Sequence, residues 1–136
     1  MAGKFKILAV DDNPEVLGIL RGFLENQYDY LGALNAEQAW DYFLDNADID
    51  VVFLDMLIGP RIEMSMKLAH NLRGAGYQGF IVVLSACPAD SSGWQLLRRA
   101  GANDILEKCS DIGEKIFPII EKAKRFNRNI YPPERV

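Results

Sequence analysis

The chain has 136 residues, 49% hydrophobic and 25% charged, with a formal net charge of −4 at pH 7. This is ordinary globular composition, one domain's worth and long enough to bury a core. The acidic balance, with no basic stripe, argues against a nucleic-acid groove, and no apolar run approaches the ~20 residues of a membrane span.

Ile7-Leu8-Ala9-Val10 reads as a buried strand. It is too short for the apolar part of a signal peptide, and no cleavage pattern follows, so a cytoplasmic protein is expected. Asp11-Asp12-Asn13-Pro14 comes next, a cap-and-proline opening for a helix that carries Val16, Leu17, Leu20, Phe23 and Leu24 at helical spacing. Tyr30-Leu31-Gly32-Ala33-Leu34 is a weaker strand, near an edge. Asn35 caps a second helix with Ala36, Ala39, Trp40, Phe43 and Leu44 on one face, of which Trp40 and Phe43 are expected in the core. Val51-Val52-Phe53-Leu54 is a strand buried on both faces, closed by Asp55.

An irregular stretch from Met56 to Ile62 precedes a third helix carrying Met64, Leu68, Ala69 and Leu72, which Gly74-Ala75-Gly76 ends. His70, the single histidine, is expected on its surface. Phe80-Ile81-Val82-Val83-Leu84 is a fourth buried strand, ending at Ser85-Ala86. Pro88 to Ser92 opens a fourth helix through Ala100, in which Gly93 costs ~1 kcal/mol relative to Ala. Asp104-Ile105-Leu106-Glu107 is a short fifth strand followed by Lys108. Ser110 or Asp111 caps the last helix, with Ile112, Ile116, Ile119, Ile120 and Ala123 inward and a kink expected at Pro118. The domain is expected to span 1–126, with 127–136 a loosely held tail.

Strands alternating with helices predict an α/β fold: a doubly wound, five-stranded parallel sheet with helices on both faces. The flavodoxin-like strand order 2-1-3-4-5 is a common arrangement of this kind. It sets strands one, three and four side by side, so Asp11, Asp12, Asp55 and Ser85 share one rim, with Lys108 beside them. Taken singly, an Asp after a strand is a turn or cap residue, Ser85 a turn hydroxyl and Lys108 a surface charge. Together they make a site. Crowded carboxylates repel unless a cation intervenes, and oxygen ligands without His or Cys suit Mg²⁺. A carboxylate so screened can act as a nucleophile toward a phosphoryl group. Ser85 and Lys108 would hold the oxygens of that group.

The chain resembles the receiver domain of bacterial-type response regulators, from Lys4 to Lys124. The resemblance rests on Leu8-Ala9-Val10-Asp11-Asp12-Asn13, Val52-Phe53-Leu54-Asp55-Met56, Val82-Val83-Leu84-Ser85-Ala86 and the segment Ala100 to Lys108. It implies that Asp55 is the phosphoacceptor and that a phosphohistidine on a sensor histidine kinase or phosphotransfer protein is the donor. Asp12, Asp55 and the backbone carbonyl of Leu57 would bind Mg²⁺ directly, with Asp11 acting mainly through water. Ser85 and Lys108 would hold the phosphoryl oxygens. Output would be a contact with a downstream protein, with Trp94 and Leu97 of the fourth helix and the last helix as candidate surfaces, the alternative being that Trp94 and Leu97 pack inward; a homodimer through the fourth and fifth helices is one form of it. Such a domain promotes its own phosphorylation rather than turning over an external substrate. The alternative is a receiver-like interaction module that acts without phosphorylation.

The chain departs from the family at several positions. Ile105 stands where the family has an aromatic switch residue, and Cys109 where it has a proline after a cis bond; a non-proline cis bond costs ~3 kcal/mol, so trans is expected. Leu57 and Cys87 are poor at orienting an attacking water, which predicts slow self-dephosphorylation. Cys87 and Cys109 follow adjacent strands and could be neighbours; two buried free thiols are expected, with a redox pair as the lesser alternative.

Overall fold

The computed structural model describes residues 4–46 and 48–130, without the side chains of 128–130. The five apolar runs become β1 (Lys6–Val10), β2 (Asp29–Ala33), β3 (Val51–Asp55), β4 (Phe80–Ser85) and β5 (Asp104–Glu107). They pair in parallel in the order β2-β1-β3-β4-β5, as expected. Between and after them lie α1 (Pro14–Leu24), α2 (Ala36–Asp45), α3 (Ile62–Gly74), α4 (Ser91–Ala100) and α5 (Ile112–Ile130).

The central strands are apolar along their interior, Ile7–Val10, Val51–Leu54 and Phe80–Leu84, because both faces are covered. Alternate residues divide between two cores. Leu8, Val10, Val52, Leu54, Ile81 and Val83 meet Ala39, Leu68, Leu72 and Leu97 on the face of α2, α3 and α4. Ile7, Ala9, Val51, Phe53, Val82 and Leu84 meet Leu17, Leu20, Ile116 and Ile120 on the face of α1 and α5. Asn13 and Asn35 cap α1 and α2 by accepting from the N–H groups of Glu15 and Gln38. Trp40 and Phe43 pack half-buried against the first core.

Some apolar residues at helical spacing are exposed. Phe23 is 40%, Leu44 62% and Met64 42% exposed. Each sits at the margin of its helix's apolar arc, where periodicity alone does not separate a core position from a flank. Of the two placements open for Leu97 and Trp94, the inward one holds: Leu97 is fully buried, and Trp94 is half-buried on the same core. His70 is exposed, as expected. The helical pattern continues through Pro118. It also extends past residue 126, where Asn127 Nδ2 donates to the Asp50 carbonyl at 3.2 Å. The rest of the expected tail, 131–136, lies outside the described residues.

Candidate functional site

Local chemistry turns each strand end into a wall of one cleft. Asp11 follows β1, and its N–H donates to the Ala33 carbonyl at 3.0 Å, so the backbone keeps strand register one residue further. Its Oδ1 accepts from the Asn13 N–H at 2.9 Å, which ties the carboxylate to the turn into α1. Asp55 is the last residue of β3 and pairs with Leu84. The Met56 N–H donates to the Leu84 carbonyl at 2.8 Å, holding the chain in line as it leaves the sheet. After β5, the Lys108 N–H donates to the Ser85 carbonyl at 2.8 Å.

These anchors aim the Lys108 ammonium at two carboxylates: 3.2 Å from Asp11 Oδ2 and 3.1 Å from Asp55 Oδ1. Asp11 is 1% and Asp55 5% exposed, while Asp12 is exposed. One carboxylate oxygen from each of Asp11, Asp12 and Asp55 lies within 4.8 Å of the others. Burial first, and the charge of Asp11 second, push the Asp55 carboxyl up to about 6, against the pull of Lys108. Burial opposes the charge on Lys108 as well, but Asp55 and Asp11 together outweigh it and raise its pKa. A single ammonium therefore leaves this acidic group short of positive charge. The donor set is oxygen only, which suits a hard divalent cation.

An open cleft of ≈ 540 Å³ leads to Asp55, walled by Leu57, Ala86, Asp90, Gly93 and Lys108. Leu57 is half-exposed, and its N–H donates to Asp55 Oδ1 at 3.4 Å. Ser85 is buried, and its hydroxyl donates to the Ala86 carbonyl at 3.0 Å rather than to Asp55. Ile105 is half-buried against the core on the side of α3 and α4. The cis bond among the described residues is Cys87–Pro88, so Lys108–Cys109 is trans.

The expectation of two buried free thiols is corrected. Cys87 and Cys109 form a disulfide, and Cys87 is exposed. The sequence showed only that the two cysteines follow adjacent strands; the strand register brings them together. Ser85 pairs with Glu107, and each cysteine lies two residues beyond that rung.

Ser65 also escaped the sequence reading. Its hydroxyl donates to the Asp55 carbonyl at 2.7 Å and accepts from the Ile58 N–H at 3.3 Å, anchoring α3 to the acidic strand end. Arg61, at the start of α3, supplies no side-chain cap. The clue was a serine in phase with Leu68, Ala69 and Leu72, since a polar group on a buried face needs a partner.

Known proteins share this fold and family. The chain is 32% identical over 121 residues to the response regulator GtcR of Aneurinibacillus migulanus, a match over 88% of this chain and 48% of that protein. It therefore spans about half the length of this curated relative. Among solved structures it is similar to the chemotaxis protein CheY4 of Vibrio cholerae, with TM-score 0.77 and 18% identity over 89% of this chain and 99% of that one. NtrX of Brucella abortus superimposes with TM-score 0.81 and 21% identity over 95% of this chain and 29% of that one. At such identities the likeness is one of fold. The family described as "Response regulator receiver domain" matches residues 7–117. The chain thus belongs to the response regulator receiver domain family of two-component signalling.

Proposed function

We propose that Asp55 accepts a phosphoryl group from a phosphohistidine on a sensor histidine kinase or phosphotransfer protein. A carboxylate oxygen of Asp55 attacks phosphorus, and the phosphorus–nitrogen bond of the donor breaks. The observation that carries this reading is the Lys108 ammonium bonded to both Asp11 and Asp55 beside the carboxylate of Asp12.

Asp11, Asp12, Asp55 and the Leu57 carbonyl would hold Mg²⁺, which screens the acids so that a phosphoryl donor can approach. Lys108 hydrogen-bonds the transferred oxygens. The Ser85 hydroxyl does so after turning from the Ala86 carbonyl. Output is a contact with a downstream protein, or with a second copy, across α4 and α5. With Leu97 buried, the apolar side chain that α4 offers is Leu96, 37% exposed.

Intact-mass analysis after treatment with a small acyl phosphate and Mg²⁺ tests the reading. One added phosphoryl group is expected in the wild type and none in Asp55→Asn. A wild type that gains none, or an Asp55→Asn variant that still gains one, overturns it. A second reading, an interaction module acting without phosphorylation, is favoured by Ile105, which offers no aromatic ring to move with Ser85. Beryllofluoride with Mg²⁺ separates the two, since only the first requires it to bind at Asp55.

A further inference from the structure

The last rung between β4 and β5 pairs Ser85 with Glu107, and the last backbone bond joins Lys108 N–H to the Ser85 carbonyl. Cys87 and Cys109 each stand two residues past that rung, with Cα atoms 5.5 Å apart. The cross-link thus extends the ladder covalently from the point where its hydrogen bonds end. Ala86 and Lys108 lie between rung and cross-link, and both line the cleft at Asp55. Neither cysteine belongs to either core cluster. The sulfur bridge therefore acts on the β4–α4 loop rather than on core packing. A second tie, the Ala89 N–H donating to Glu107 Oε2 at 2.8 Å, would survive its reduction.

We propose that Cys87 and Cys109 are a reversible dithiol–disulfide site, opened by a dithiol reductant, which when oxidised fastens the β4–α4 loop beside Lys108. The reductant's thiolate attacks Sγ of Cys87, the exposed member of the pair. The sulfur–sulfur bond breaks, and Cys109 leaves as a thiolate that takes a proton from water. The reductant's second thiol then displaces Cys87 and closes its own disulfide. Two electrons have passed from reductant to protein. A small-molecule disulfide reverses the sequence. Once reduced, the loop carrying Ala86 and Cys87 is held by the Ala89–Glu107 bond and moves more freely against Lys108. The consequence for Asp55 rests on the phosphoacceptor reading above.

The test uses the full chain. Alkylation followed by mass measurement should give no label on air-oxidised protein, two labels after dithiothreitol, and none again after oxidised glutathione. Amide exchange at Lys108 and Ala89, whose N–H groups donate to the Ser85 carbonyl and to Glu107 Oε2, should quicken about tenfold on reduction, and reduced wild type should match the double variant Cys87→Ser/Cys109→Ser. The initial rate of acyl-phosphate labelling at Asp55 should differ at least about threefold between oxidised and reduced protein. Two labels without reductant, or a bridge that resists dithiothreitol, overturn the site. Equal amide exchange in the two redox states overturns the fastening. Asp55→Asn should show the same thiol chemistry and loop protection. If wild type takes no phosphoryl group in either redox state while those two readouts behave as stated, the phosphoacceptor reading fails and the redox site stands.

Discussion

Lys108 reconciles two acids that the fold has buried. Among the described residues it is the cation paired with both Asp11 and Asp55. Replacing it by Ala leaves a carboxylate pair that must take up a proton or a metal. Lys108→Ala should move the Asp55 carboxyl above its wild-type value of about 6. It should also cost about 1–2 kcal/mol at neutral pH without metal, a figure reduced for the partial exposure of the ammonium. Carbon-13 titration of the carboxyls and urea unfolding measure the two effects, and an unmoved titration would refute the electrostatic account. The sign for wild type follows from the same shift. Asp55 is raised above its ordinary 3.8, so the folded chain binds its proton more tightly than the unfolded chain does. Its contribution to stability is full below that ordinary value and is lost as pH rises through about 6. The thermal midpoint of metal-free protein should therefore fall across that window, and Mg²⁺ should raise it more near pH ~7 than near pH ~4. Leu57, half-exposed beside Asp55, has no polar side-chain group for an attacking water. Leu57→Asn should shorten the lifetime of the phosphoryl group, followed by loss of the added mass with time. A wild-type group lost within seconds would contradict the premise.

At the scale of elements, α3 and α4 are built around the loop that leaves Asp55. Ser65 joins α3 to the Asp55 carbonyl and the Ile58 N–H at full burial. Ser65→Ala strands both groups and should cost about 1–3 kcal/mol. Urea denaturation reads this, and a midpoint within error of wild type would show that the bridge carries nothing. Gly93 explains its own presence. A Cβ there would stand 2.6 Å from Met56 Sδ and 3.2 Å from both Asp90 Oδ2 and Ile62 Cδ1. The helix-propensity gain of Gly93→Ala, ~1 kcal/mol, should be outweighed by overpacking, for a net loss of about 1 kcal/mol. A stabilised Gly93→Ala protein would show that the Met56 side chain yields freely. Arg73 ties the end of α3 to the starts of β4 and β5. Its guanidinium donates to the carbonyls of Tyr77, Gly79 and Gly101 and to Asn103 Oδ1. This clamp lies at the sheet end opposite the acids.

For the whole molecule, the strand order does the assembling. Reversal of the strand order between β1 and β3, which run parallel, leaves a crevice at the carboxyl ends, where the two flanking crossovers pass to opposite faces. The three acids and Lys108 occupy that crevice, far apart in sequence and adjacent in space. The disulfide adds one covalent constraint across a sequence separation of 22 residues. By loop-closure entropy its reduction should lower unfolding stability by about 2–4 kcal/mol, seen as a lower urea midpoint with dithiothreitol. A midpoint indifferent to reductant would mean that the native and unfolded chains are restrained alike without it.

Much was decided by local pattern. The apolar runs of β1, β3 and β4 read as strands because both sheet faces bury them, and Asp11, Asp55, Ser85 and Lys108 were visible because each ends such a run. Their convergence follows from the order β2-β1-β3-β4-β5 once parallel pairing is granted. Other features depended on which surface a residue meets. The inward placement of Leu97, the outward placement of Leu44, and the bond from Ser65 to the Asp55 backbone are set by how α2, α3 and α4 lie on the sheet. The Cys87–Cys109 bridge depended on the register of β4 against β5, because two cysteines join only when their backbones are brought within bonding reach. Periodicity names the face of a helix, but only packing says how far around that face the core extends.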